Sequence, residues 1–190
     1  IDNQFYYTIT MKHIICLDIE NTIIDDLQNC NFIEENCEKI KRLIDEKRKE
    51  GLLGIVFNTW GWKTNDEIDI NIINRILVKF GIDPLNIGCE CRVFTKEFSV
   101  DKAIEAGWLH KEDKERALYP GMMQEFGISK IACFQEYVGT VPELLLRLAG
   151  ASANNPVVVT LVDDLVDEPE IESYHGNKLH AAIINHTQLA

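Results

Sequence analysis

The chain has 190 residues, 46% of them hydrophobic, which suffices for a single domain whose core needs no disulfide or metal staple. A formal net charge of -12 repels nucleic-acid backbones and anionic membranes at long range, so nucleic acid is a disfavoured partner though not an excluded one. No apolar run approaches the ~18 residues of a membrane span, residues 1–10 lack the basic start and apolar core of a signal peptide, and the six cysteines form no CxxC pair, so a reducing cytoplasm is the expected compartment.

Residues 1–10 precede Met11, which reads as the natural start after an added extension, leaving 11–190 as one domain. His13 to Asp18 reads as a short buried strand, because Ile14, Ile15, Cys16 and Leu17 are consecutive and parallel central strands are apolar on both faces. A helix is expected from Glu34 to Glu50, with Ile40, Leu43 and Ile44 as its apolar stripe and Gly51 as its stop. Leu52 to Phe57 reads as a second buried strand ending at Asn58-Thr59. Asp66 or Asp69 can cap a further helix carrying Ile72, Ile73, Ile76 and Leu77, which Gly81 ends.

Ile87 to Phe94 is a third strand candidate, and Ser99 to about Arg116 a helix interrupted at Gly107-Trp108. Ile128 to Phe134 reads as a fourth strand, and Thr140 opens a helix with Pro142 in its first turn. Val157 to Val162 is the most strand-like run and ends at Asp163-Asp164, with a last strand near Ala181 to Ile184. Strands alternating with helices predict an α/β domain with an open parallel sheet and helices on both faces.

Three of these apolar strands end in small polar or acidic residues: Asp18-Ile19-Glu20-Asn21-Thr22, Asn58-Thr59 and Asp163-Asp164. Ligands of open α/β sheets sit beyond the carboxyl ends of the strands. Carboxylates converging there repel one another unless a cation joins them, and oxygen-only ligands suit a hard ion such as magnesium. Helix capping explains any one of these acids, but it explains all three strand ends poorly.

In these motifs the sequence resembles the haloacid dehalogenase superfamily, from about His13 to Asp167. The first family motif, an apolar strand followed by Asp-x-Asp-x-Thr/Val, stands here as Ile-Ile-Cys-Leu-Asp18-Ile-Glu20-Asn-Thr22. The second, a strand ending in Ser or Thr, stands as Ile-Val-Phe-Asn-Thr59, and the fourth, a strand ending in an acidic pair, as Val-Thr-Leu-Val-Asp163-Asp164.

The resemblance implies a magnesium-dependent phosphomonoester hydrolase with Asp18 as nucleophile. Asp18 and Asp163 or Asp164 would be the side-chain metal ligands, helped by the Glu20 backbone carbonyl. The Glu20 side chain would be the general acid/base, and Thr59 would bind a phosphoryl oxygen together with N–H groups of the turn after Asp18. Asp167 would orient a metal-bound water or act as a cap. Thr22, Asn58, Trp60 and Lys63 surround the expected substrate position, with Trp60 and Trp62 able to stack on a ring.

Two departures matter. Glu20 replaces the usual Asp, as in the enolase-phosphatase branch, whose Asp-Ile-Glu-Gly-Thr has Gly where this chain has Asn21. The family's third-motif Lys has no obvious counterpart, and Lys130, Lys63 and Lys102 are its candidates in that order. About 35 residues between the first two motifs leave room for only a minimal cap, so an open site for a nucleotide or other small phosphate ester is expected. The rival expectation is a catalytically weak binding or regulatory module lacking the Lys. A receiver-like domain is a third, and it would need a Lys after a late strand, where Lys178 follows only a loop.

Overall fold

A computed structural model describes residues 11–140 and 150–190. Both the expected extension at 1–10 and the helix expected after Thr140 fall on residues outside this description. The first strand, β1 (Lys12–Leu17), is followed by α1 (Glu34–Glu50), β2 (Leu52–Asn58), α2 (Ile70–Lys79) and β3 (Glu90–Phe94). Then come α3 (Lys96–Glu105), the short turns of helix α4 (Lys114–Ala117) and α5 (Met122–Glu125), α6 (Lys130–Gly139), β4 (Val157–Val162), β5 (Glu170–Tyr174) and β6 (Leu179–Ile184).

Local chemistry accounts for the helices. In α1, Glu34 and Glu35 occupy the first turn and Lys47, Arg48 and Lys49 the last, which complements the helix dipole at both ends. The N-cap of α2 is Asp69, whose side chain accepts the Asn71 N–H, and its Ile72, Ile73, Ile76 and Leu77 are buried. Burying each such side chain contributes about 1.5–3 kcal/mol.

The six strands lie in the order β3-β2-β1-β4-β6-β5. Every neighbouring pair is parallel except β5 with β6, which form an antiparallel edge. Alternate residues of β1 serve different cores: Ile15 and Leu17 join the cluster under α1 and α2, while Cys16 joins Phe134 and Val138 of α6. The sheet is therefore covered on both faces, in a Rossmann-like α/β arrangement. The chain builds outward from β1 through β2 to β3, then returns to place β4 on the other side of β1. That reversal makes the carboxyl ends of β1 and β4 the switch point of the sheet, the place where ligands of such sheets bind. No helix among the described residues is long and apolar enough to cross a membrane.

Two expectations need correction. Residues 128–134 do not form a strand: α6 runs from Lys130 to Gly139. Its buried positions, Lys130, Cys133, Phe134 and Val138, recur at helical spacing, and the Ser129 side chain caps it by accepting the Ala132 N–H. The helix expected from Ser99 begins three residues earlier, as α3 at Lys96; it ends at Glu105, just before the interruption expected at Gly107-Trp108, and separate short turns follow.

Candidate active site

Asp18 follows β1 directly, and its N–H donates to the Val162 carbonyl of β4 at 3.0 Å. Asp163 follows β4, and its N–H donates to Ile184 of β6 at 3.1 Å. Because Leu17 and Val162 are register partners, the two acids emerge side by side. Oxygens of Asp18, Asp163 and Asp164 lie within 4.8 Å of one another, close enough that one cation could touch all three.

Lys130 supplies the counter-charge from the first turn of α6. Its Nζ lies 2.5 Å from Asp18 Oδ1 and 2.8 Å from Asp163 Oδ2. All three side chains are almost wholly buried, where an unpaired charge is costly. Burial alone would pull Lys130 down, but Asp18 and Asp163 outweigh it and hold the ammonium above the usual lysine range. Burial pushes Asp18 up to about 6, against the pull of Lys130 and with help from Asp164. Burial likewise raises Asp163 and Asp164. One ammonium thus faces three acids.

The set has unmet capacity for a cation. Asp163 Oδ1 accepts the Leu165 N–H at 3.0 Å and buried Asp163 Oδ2 is paired with the Lys130 ammonium at 2.8 Å, so three acids against one ammonium leave surplus negative charge. Asp164 is half-buried and faces Asp18.

The turn after Asp18 is tightly built. Asn21 adopts φ 61, a left-handed conformation that Gly or Asn takes most readily, so Asn21 fills a glycine-like position. Thr22 is completely buried and its Oγ1 donates to Asp18 Oδ2 at 3.0 Å. Its hydroxyl is therefore committed to orienting Asp18 rather than offered to a substrate. The Glu20 carboxylate does not join the acid cluster. It accepts the Leu27 N–H at 3.3 Å and lies against Gly61, where a Cβ would stand 2.3 Å from Glu20 Oε1. Only glycine lets the loop after β2 come this close.

Thr59 is buried at the end of β2, and its Oγ1 accepts the Gly61 N–H at 3.1 Å. Asn58 is buried beside it. Trp60 is half-buried and donates Nε1–H to Ser99 Oγ at 2.8 Å, and Trp62 is a core residue. Of the three lysine candidates, only Lys130 pairs with the Asp18 carboxylate. Lys63 lies over the Tyr119 ring, and Lys102 pairs with Glu105. Asp167 is exposed. Cys89 and Cys91 are free thiols packed against the α1–α2 core.

Sequence reasoning missed Thr95 and Lys96, both buried at the carboxyl end of β3. The signal was present: Val93-Phe94-Thr95-Lys96 repeats the apolar-to-polar ending of β2. A surface cavity of about 450 Å³ between Phe32 and α2 is lined by none of the cluster's acids. No family model, curated protein or solved structure matches the chain.

Proposed function

We propose that the chain is a magnesium-dependent phosphomonoester hydrolase of the haloacid dehalogenase kind, working through an aspartyl-phosphate on Asp18. The observation that carries this reading is Lys130 bridging Asp18 and Asp163 beside Asp164 at the β1–β4 reversal. The same contact supports a hydrolase over a binding module lacking its lysine, the reading that the departure at Glu20 also motivates.

Asp18, Asp163 and Asp164 fit a hard divalent ion by donor type and by spacing. When bound, that ion supplies positive charge to a phosphate that would otherwise be repelled by the acids. Thr22 and Lys130 hold the Asp18 carboxylate in one orientation. In the first step an Asp18 oxygen bonds to phosphorus, the bond to the leaving alkoxide oxygen breaks, and Glu20 delivers a proton to that oxygen. In the second, Glu20 takes a proton from water, the water oxygen bonds to phosphorus, and Asp18 is released as carboxylate. Lys130 offsets the charge that builds on the phosphoryl group in both steps.

The test is hydrolysis of p-nitrophenyl phosphate with magnesium, with EDTA and by Asp18→Asn. Turnover that needs magnesium and vanishes in Asp18→Asn is the expected result. Turnover unchanged in Asp18→Asn sinks the mechanism.

A further inference from the structure

Lys96 is 4% exposed at the start of α3. Its Nζ donates to the Tyr119 carbonyl at 2.9 Å and lies 5.5 Å from the centre of the Trp60 ring. An ammonium carries three N–H donors, and among the described residues this one has a single hydrogen-bond acceptor. Lys63 stands nearby, its Nζ 4.9 Å from the centre of the Tyr119 ring. Neither lysine pairs with a carboxylate among the described residues. Neighbouring acids are engaged elsewhere: Glu97 and Asp101 flank Lys114, and Glu67 accepts the Lys63 backbone N–H. Burial, and then the charge of Lys63, pulls Lys96 below the usual lysine range.

Two cations brought together in a chain of net charge -12, one of them buried, are costly unless an anion joins them. The backbone around them is fixed: the Lys96 N–H donates to the Trp62 carbonyl at 2.9 Å and the Glu97 N–H to the Lys63 carbonyl at 2.8 Å. The loops after β2 and β3 are thus stitched together at the same edge of the sheet as Asp18. Strands are about 4.8 Å apart, so the ends of β3 and β1 stand roughly 10 Å apart. That separation suits one substrate reaching both.

Resting on the proposed hydrolase reading, we infer that Lys96 and Lys63, with Trp60 and Tyr119 beside them, form a subsite for a second anionic group, so that the preferred substrate is a small phosphate monoester carrying another phosphate. The aromatic rings wall the subsite, and the scissile phosphate sits at Asp18.

The inference is tested by calorimetry on Asp18→Asn, which does not consume its ligand, comparing adenosine 3′,5′-bisphosphate with adenosine 5′-monophosphate. The bisphosphate is expected to bind about tenfold tighter or better. Adding Lys96→Met should bring the ratio of affinities close to one, and Lys63→Met should lower it in part. Each ratio is taken within one variant, so a loss of folded protein does not mimic the effect, and Lys63→Met stands in if Lys96→Met does not fold. A ratio near one in the parent, no binding of the bisphosphate, or a ratio unmoved by both substitutions overturns the inference. Hydrolysis of p-nitrophenyl phosphate without bisphosphate preference defeats the subsite alone. Preference without hydrolysis by the unmodified chain defeats the hydrolase reading alone.

Discussion

Lys130 and Lys96 are each 4% exposed, and each stands at the first position of a helix beside the carboxyl edge of the sheet. Their surroundings are opposite. Lys130 faces Asp18 and Asp163 and is held above the usual lysine range. Lys96 faces a carbonyl, an aromatic ring and another lysine, and is pulled below it. Equal exposure therefore accompanies opposite electrostatics, and the charged neighbours of each lysine set the direction. The Lys130 half of the edge is built around surplus negative charge and calls for a cation. The Lys96 half is built around surplus positive charge and calls for an anion. The proposed substrate, a phosphate monoester with a second anionic group bound together with a metal ion, would answer both.

The contrast is broken most forcefully at Lys130. Lys130→Met strands two buried carboxylates and should cost about 3–5 kcal/mol in urea unfolding without divalent ions. A loss under about 1 kcal/mol would mean that the pair is already neutral through protonation. Next is Gly61→Ala, whose Cβ would meet Glu20 Oε1 at 2.3 Å and Leu27 Cδ1 at 2.4 Å. Glu20 must swing away, and a shift of ~1 Å should lower kcat about 100-fold. The position is exposed, so the thermal midpoint should move little.

Thr22→Val keeps the shape of a fully buried side chain but removes the donor to Asp18 Oδ2. It should cost about 1–3 kcal/mol by denaturant unfolding. Lys96→Met sharpens the comparison by having no carboxylate to strand. Its stability should stay within about 1 kcal/mol of the parent or rise, against the loss seen at Lys130.

The smallest effect belongs to His13, which is buried and whose Nε2 lies 2.5 Å from Glu50 Oε2. Burial, and then the charge of Lys47, lowers it from 6.5 despite Glu50. The folded state therefore binds its proton less readily than the unfolded chain. The stability it contributes is present above pH 6.5 and is lost as pH falls through the lower folded value. The stability gap between the parent chain and His13→Gln should shift in favour of the variant as pH falls from 6.5 to the lower folded value. A gap independent of pH there would contradict the assignment.

The strands that carry the acids were legible because they are buried on both faces, and Ile14–Leu17 and Val157–Val162 could hardly be anything else. The α1 helix, Glu34–Glu50, was legible because its charged face and apolar stripe keep helical period throughout. By contrast, β5 was invisible: Glu170, Ile171, Glu172 and Ser173 are exposed, and only antiparallel pairing with β6 makes the segment a strand. The α6 helix looked like a strand because Ile128 and Ile131 lengthen its apolar run, while its Ser129 cap and the spacing of Cys133, Phe134 and Val138 carry the helical signal.

Asp18, Asp163 and Asp164 were readable from strand ends, and Lys130 was named, though as a strand residue. What it touches was not readable, because residues 18 and 130 meet only through the return of the chain from β3 to β4. The same holds for Glu20 against Gly61, and for Lys96, whose lack of a carboxylate partner among the described residues is a property of the packed fold. Each of these depends on tertiary neighbours that local pattern does not encode.

The most direct measurement is to quench the protein with borohydride during turnover of p-nitrophenyl phosphate and map the modified residue by mass spectrometry. An acyl phosphate on Asp18 is reduced to the alcohol, so the expected result is homoserine at position 18, formed only with magnesium. Phosphate release with residue 18 unmodified, or modification at another acid, contradicts the account.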